Sequence, residues 1–349
     1  MIMKRIVNVL LASLVAVAVA CTKDASLEQT TTEPQEIGVD GDIVCIDGTL
    51  HFPSSKSCFA TMDALVSDED LHVFEKKHNF TSVRTFTDSM LDELIACETP
   101  EEYQAILETC TDYLVEEDGR LMPKIVSFAY ASIADVNGVF YVEGIKHTVS
   151  GDKIIIETAD PVTRASVVKE IDYVVQMNTN LETRGETNQK YFDNRYETKK
   201  YKVFGRTHIL RMVIARDGGN GTTAYESSFA MELQLSGQKK KTLIGWNTYQ
   251  DRFTITHLSF EISIGGQLFK YNPNYAPFSV TSGTTKSYKF RIPIGGLWIS
   301  SPEVAMPIPE NFHMIRWRAL SDALGNCGAV TEEWRKVKPS VLLPLSNCM

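Results

Sequence analysis

The sequence predicts an α+β protein: a small helix-plus-hairpin N-terminal unit followed by an antiparallel β-sandwich-like unit. Three observations carry this. Between residues 62 and 114 apolar side chains recur at helical spacing behind capping signals. From Ile125 the period shortens toward that of strands. From Tyr201 onward, β-branched and aromatic runs alternate with glycine turns. The expected divisions are residues 1–20, 21–42, 43–178 and 191–349, with Thr179–Lys190 as a polar boundary.

Residues 1–20 read as a signal peptide. Lys4 and Arg5 precede an apolar run from Ile6 to Ala20, too short to span a bilayer. Ala18-Val19-Ala20-Cys21 resembles a bacterial lipobox, with Ala18 where leucine is usual. That resemblance implies that Cys21 becomes the first mature residue and carries lipid, palmitate included. The chain is then anchored to the outer membrane rather than spanning it. Thr22-Lys23-Asp24 resembles a surface-export tag, which implies outward display. Residues 21–42 lack an apolar period and read as a flexible tether.

Asp47-Gly48 between Ile43–Ile46 and Thr49–Phe52 predicts a hairpin with a type I′ turn. Helices are expected around Met62, Leu65 and Val66, from Ser67 through Phe74, and around Met90, Leu91, Leu94 and Ile95. Thr99-Pro100-Glu101-Glu102 is a capping box with proline in the first turn. Tyr103, Ile106, Leu107, Cys110 and Leu114 would share one face of that helix.

Asn137-Gly138 and Ser150-Gly151-Asp152 then mark turns of a β-meander. In the last unit, strands are expected at Tyr201–Arg216, Ala224–Leu235, Phe253–Ile264 and Lys286–Ile294. Turns are expected at Gly218-Gly219-Asn220-Gly221, Ser236-Gly237, Gly265-Gly266 and Ser282-Gly283. The tail predicts a strand near Met314–Trp317 and a short helix near Glu332–Lys336.

The net charge of −9 conceals a segregation. Phe59–Asp118 holds 16 acidic against 3 basic residues, whereas Lys190–Met349 holds 12 against 21. Opposite-signed segments are expected to attract each other, and a basic segment also suits an acidic glycan; solvated surface is the plainer reading. Nucleic acid is not an expected partner of an exported, acidic chain. Beyond Cys21 there are Cys45, Cys58, Cys97, Cys110, Cys327 and Cys348. Export permits disulfides, but six cysteines do not specify their pairing. Cys97 and Cys110, separated by a helix roughly 15 Å long, are not expected to pair.

Few motifs carry chemistry. His72-x-x-Glu75-x-x-His78 places its histidines roughly 240° apart on a helix, so they cannot share one ion. Ser236-Gly237-Gln238-Lys239 matches a serine acyl-enzyme motif but lacks its partner motifs, and a hairpin turn explains it better. Lys239-Lys240-Lys241 reads as a solvated basic turn. No catalytic residue, metal site or cofactor is assigned. Trp246, Tyr271 and Tyr275 are the candidate ligand-binding residues, because exposed aromatic faces stack on sugars or anchor protein partners.

Gly48-x-Leu50-x-Phe52, the acidic helical segment, an Asn137-Gly138 hairpin, Tyr225-Glu226-Ser227-Ser228, Lys239-Lys240-Lys241, Gly245-Trp246 and the β-rich C-terminal half together resemble uncharacterised lipoproteins of gut Bacteroidetes. The resemblance implies a compartment and no activity. The function expected is a non-catalytic cell-surface lipoprotein that binds a glycan or a protein partner. The alternatives are a polysaccharide-active hydrolase, which requires a concave pocket with converging polar groups, and a structural subunit of a surface assembly, which requires an exposed edge or apolar patch.

Overall fold

A computed structural model of the chain describes residues 42–117, 120–159, 166–175, 177–179, 187–189, 192–219, 222–271, 280–285, 287–300, 309–323 and 325–337. The signal peptide, Cys21, nearly all of the tether, Tyr275 and Cys348 lie outside the described residues. The predicted first hairpin is present: β1 (Val44–Ile46) and β2 (Thr49–Phe52) turn at Asp47 and Gly48, with φ of 50° and 82°. Four helices follow, each begun by a hydroxyl cap: α1 (Ser55–Ala64), α2 (Asp68–His78), α3 (Val83–Ala96) and α4 (Pro100–Thr109). The Thr99/Glu102 capping box forms as expected. α4 stops at Thr109, so Leu114 does not extend its face. Leu114 instead opens β3 (Leu114–Glu117), which pairs only with β4 (Arg120–Pro123) among the described strands.

Phe128–Ile133, expected within strand-forming sequence, is a helix, α5. All six of its residues are buried, so no amphipathic period marks it. Then come β5 (Val139–Val142), β6 (Ile145–Ser150), β7 (Lys153–Ala159) and β8 (Ser166–Asp172). They complete a sheet of order β1-β2-β5-β6-β7-β8. β2 and β5 are parallel, because the helical segment crosses over between them. Asn137-Gly138 is not a hairpin turn. The Asp135 carboxylate accepts from Asn137 N and Val139 N at 2.8 and 2.9 Å and leads the chain from α5 into β5. The β5–β6 turn uses Glu143-Gly144. Gly138 is required where it stands, since a Cβ there would lie 2.4 Å from the Val149 carbonyl oxygen.

The remaining chain is strand: β9 (Met177–Thr179), β10 (Thr187–Gln189), β11 (Phe192–Glu197), β12 (Tyr201–Gly219), β13 (Thr222–Lys241), β14 (Gly245–Tyr249), β15 (Asp251–Ile264), β16 (Gln267–Tyr271), β17 (Val280–Thr285), β18 (Ser287–Ser300), β19 (Pro309–Ser321) and β20 (Gly325–Val337). One sheet runs β11-β12-β13-β14, with β18 also on β13. Another runs β10-β9-β20-β19-β15-β16, with β17 also on β15. Three local expectations are corrected. Ser236-Gly237 lies inside β13, where Gly237 makes room for the Tyr249 ring: an added Cβ would meet it at 2.5 Å. Ser282-Gly283 lies inside β17. Glu332–Lys336 belongs to β20, because pairing with β19 overrides local helix propensity.

Two main cores result. The first joins the N-terminal sheet and α1, α2 and α5 to Leu210–Ala215 of β12. The second gathers Met231, Leu233 and Leu235 of β13, Phe253 to Ile264 of β15, and Ile292 and Ile294 of β18. β12 enters both, and every residue from Val203 to Ala215 is buried. Cys45, Cys58, Cys97 and Cys110 are free thiols, so Cys97 and Cys110 are not bridged.

Candidate functional site

Strand alternation puts Met231, Leu233 and Leu235 in the second core and sends Glu232 and Gln234 to the opposite face of the sheet. On β12, Arg206 stands opposite Gln234 and His208 opposite Glu232. On the other side, Lys289 and Arg291 of β18 pair with the same two residues. Six polar residues therefore form a grid two deep and three strands wide. All except Gln234 are buried.

Buried charge needs partners, and the acidic N-terminal segment supplies them. Arg206 pairs with Glu117 of β3, Arg291 with Asp63 of α1, and Lys289 with Asp88 of α3 at 3.7 Å. Glu232 accepts from Ser127 Oγ at 3.1 Å and from the Phe128 amide at 3.2 Å, which ties α5 to the sheet. The segregated charges thus meet across this layer. Lys241, expected in a solvated turn, donates to the carbonyls of Ile95 and Cys97 at 2.6 and 2.8 Å, and Asn247 donates to that of Leu94 at 2.9 Å. Both side chains satisfy the C-terminal end of α3.

Between the grid and its cover lies a cleft of about 700 Å³. Arg206, His208, Glu232, Gln234 and Lys289 line its floor. Tyr113, Met122, Phe128 and Val149 supply ring and apolar wall. Tyr113 is steadied by an edge contact with Phe86, centroids 4.8 Å apart. Burial pushes the Glu232 carboxyl up to about 7, against the opposing pull of Arg291 and the two hydrogen bonds. Near neutral pH this group can therefore hold or release a proton within the cleft floor.

The sequence-predicted site residues lie elsewhere. Trp246 is on β14, half-buried, with the Lys202 ammonium 3.9 Å from its ring centroid. Tyr271 ends β16 and packs down on Phe260, centroids 5.4 Å apart and rings 19° from parallel. Burial raises the Tyr271 hydroxyl pKa. The two residues stand on different sheets and neither lines the cleft. Tyr275 and Cys21 lie outside the described residues. Glu75, flanked by His72 and His78, is structural: its carboxylate accepts from Ser82 N at 2.8 Å and Thr85 Oγ1 at 3.0 Å, fixing the start of α3. Among the described residues no group of three or more His, Cys, Asp or Glu is placed to hold a metal ion, and no helix is long and apolar enough to cross a membrane.

The signal for the cleft was present in the sequence as pairs at i and i+2: Arg206 with His208, Glu232 with Gln234, Lys289 with Arg291. Each pair interrupts an apolar strand on one face only. What alternation alone did not reveal is that three separate strands would align them.

No protein-family model matches the chain, and no curated protein matches it in sequence. Two solved structures align with it. One is a DUF4848 family protein from Bacteroides thetaiotaomicron VPI-5482, at 12% identity over 85% of this chain and 98% of that one, with a TM-score of 0.28. The other is Northeast Structural Genomics Consortium target SoR45, at 10% identity over 40% of this chain and 90% of that one, with a TM-score of 0.22. Likenesses at this level assign no family and no activity.

Proposed function

We propose that this protein is a lipid-anchored outer-membrane protein that binds a glycan in the cleft over the β12–β13–β18 face. The observation that carries the reading is the floor itself. Donors and acceptors stand side by side beneath apolar and aromatic walls, the composition of a site for a small, hydroxyl-rich ligand. Because Arg206 and Lys289 already have carboxylate partners, the floor favours a neutral ligand over a strongly charged one. In this reading the two C-terminal sheets are a β-sandwich around the second core, and Cys21 holds the whole at the membrane.

A glycan array probed with the full chain in detergent tests the binding. The expected result is a defined set of bound saccharides, with signal lost in His208→Ala. An empty array, or binding indifferent to that substitution, would contradict it. The anchor is tested separately: Cys21→Ser should abolish labelling with radiolabelled palmitate, and persistent labelling would remove Cys21 from the proposal.

A second reading, hydrolysis of the bound glycan, is favoured by one observation. Glu232 lies in the cleft floor, and burial raises its carboxyl pKa, the direction a general acid requires. Glu232→Gln should then abolish turnover of an array-identified glycan while preserving its binding. Absence of turnover in the unmodified chain leaves the binding role alone.

A further inference from the structure

Hairpin β3–β4 roofs the cleft yet pairs with no other described strand. A lone two-stranded hairpin is marginally stable and depends on what it rests on. Its base rests on a small apolar cluster, Leu91 and Leu94 of α3 with Cys110 and Leu114, separate from the two main cores. α4, which leads into it, buries none of its residues. α3 is itself fixed to the sheet through Lys241 and Asn247. The hairpin therefore has a firm base and a different kind of contact further out.

Toward the sheet that contact is polar. Glu117 pairs with Arg206, and the Arg120 guanidinium lies 4.3 Å from the Phe204 ring centroid. The Arg206 side chain is 3% exposed and that of Glu117 40%, so water reaches one half of the clasp. Beneath the hairpin a second, smaller void shares Asp88, Met122, Pro123, Gln234 and Lys289 with the cleft. That void holds only about 20 Å³, and Arg120 and Met122 on the underside are 3% and 7% exposed, so lifting the hairpin brings both side chains toward water.

We infer that β3–β4 is a lid over the cleft, seated on the Leu91/Leu94 cluster and latched by Glu117 on Arg206. Turning outward keeps Leu114 in the small cluster, withdraws Leu121 from it, breaks the latch and uncovers Arg206 beside Gln234 and His208. Arg206 stays in place because its strand is held in the sheet by ladders on both sides. The inference builds on the cleft as the binding site, but the motion is measurable without a ligand. Failure of glycan binding with local opening intact would therefore overturn the function and leave the lid.

The test is hydrogen exchange by mass spectrometry on the full chain in detergent, comparing peptides over 114–123 with peptides over β12. The lid should exchange roughly a hundredfold faster than β12, as sub-global opening does. Glu117→Gln should speed it a further fivefold or so, the scale of a partly exposed ion pair, leaving α5 and β12 unchanged. Raising salt from about 0.05 M to about 1 M on the unmodified chain should act in the same direction, since it screens the exposed carboxylate. Protection of 114–123 equal to that of β12 would overturn the lid. So would exchange there that ignores both salt and Glu117→Gln, or a rise across the whole chain in the variant.

Discussion

The two faces of the β12–β13–β18 sheet have the same backbone and opposite chemistry. On one face Met231, Leu233, Leu235, Ile292 and Ile294 pack into the second core. On the other, Arg206, His208, Glu232, Gln234, Lys289 and Arg291 meet an acidic layer and a cleft. The apolar face gains stability from water excluded on burial. The polar face buries charge, which rarely repays its desolvation, and it does so beside empty space. The difference teaches where to look for a site: on the sheet face that buries charge beside an unfilled volume.

Substitutions that separate the faces give the largest effects. Leu233, 1% exposed, lies in the second core. Leu233→Ala should cost about 3 kcal/mol of stability in chemical denaturation while leaving ligand affinity unchanged in the folded fraction. An equal loss of stability for Gln234→Ala would erase the distinction between the faces.

Two buried titrating groups sharpen the comparison through pH. Glu232 has its native pKa raised to about 7, so the native state holds more protons than the unfolded chain between about pH 4.3 and 7. Its contribution is greatest below that window and is lost as pH rises through it. His147 is the opposite case. It is buried, accepts from Ala215 N at 2.9 Å, and its pKa is lowered to about 4 by burial. Its contribution is complete above about pH 6.5 and is lost as pH falls toward 4. Glu232→Gln should flatten the loss between about pH 4.3 and 7, and His147→Gln the loss between about pH 6.5 and 4. Each effect should be of order 3 kcal/mol by denaturant titration at several pH values. Unchanged slopes in either variant would show that the residue titrates as it does in solution.

Smaller effects belong to contacts at the margins of the layer. Lys241→Met should cost about 1 kcal/mol, because two carbonyls at the end of α3 lose their donor. Lys153→Ala breaks an ion pair with Glu170 in which both side chains are more than 40% exposed, and should leave stability unchanged. A reversal of that order in thermal melts would mean the covering layer is not held as described.

Much of the fold could be read from local chemistry. Asp47-Gly48, Thr99 with Glu102, and Gly265-Gly266 each form the turn or cap their residues demand. The misread segments are those whose conformation is decided by distant partners. Gly237 serves a cross-strand ring, α5 is buried on all sides, and Glu332–Lys336 is drawn into a ladder with β19. The cleft was hidden for the same reason. Its floor assembles residues 206 to 289 from three strands, and its cover comes from residues 83 to 152. Tyr271 and Trp246 stand out in the sequence as aromatic residues; the first packs on Phe260 and the second lies against the Lys202 ammonium, neither in the cleft.

The most direct measurement is isothermal titration of an array-identified glycan into two variants of the full chain, each checked for an unchanged melting temperature. One is His208→Ala/Gln234→Ala, in the cleft floor; the other is Trp246→Ala/Tyr271→Ala, on the two outlying aromatics. The expected result is a loss of at least about tenfold in affinity for the first, the cost of removing two ligand hydrogen bonds, and less than about twofold for the second. Unchanged affinity in the first together with a large loss in the second would place the ligand away from the cleft.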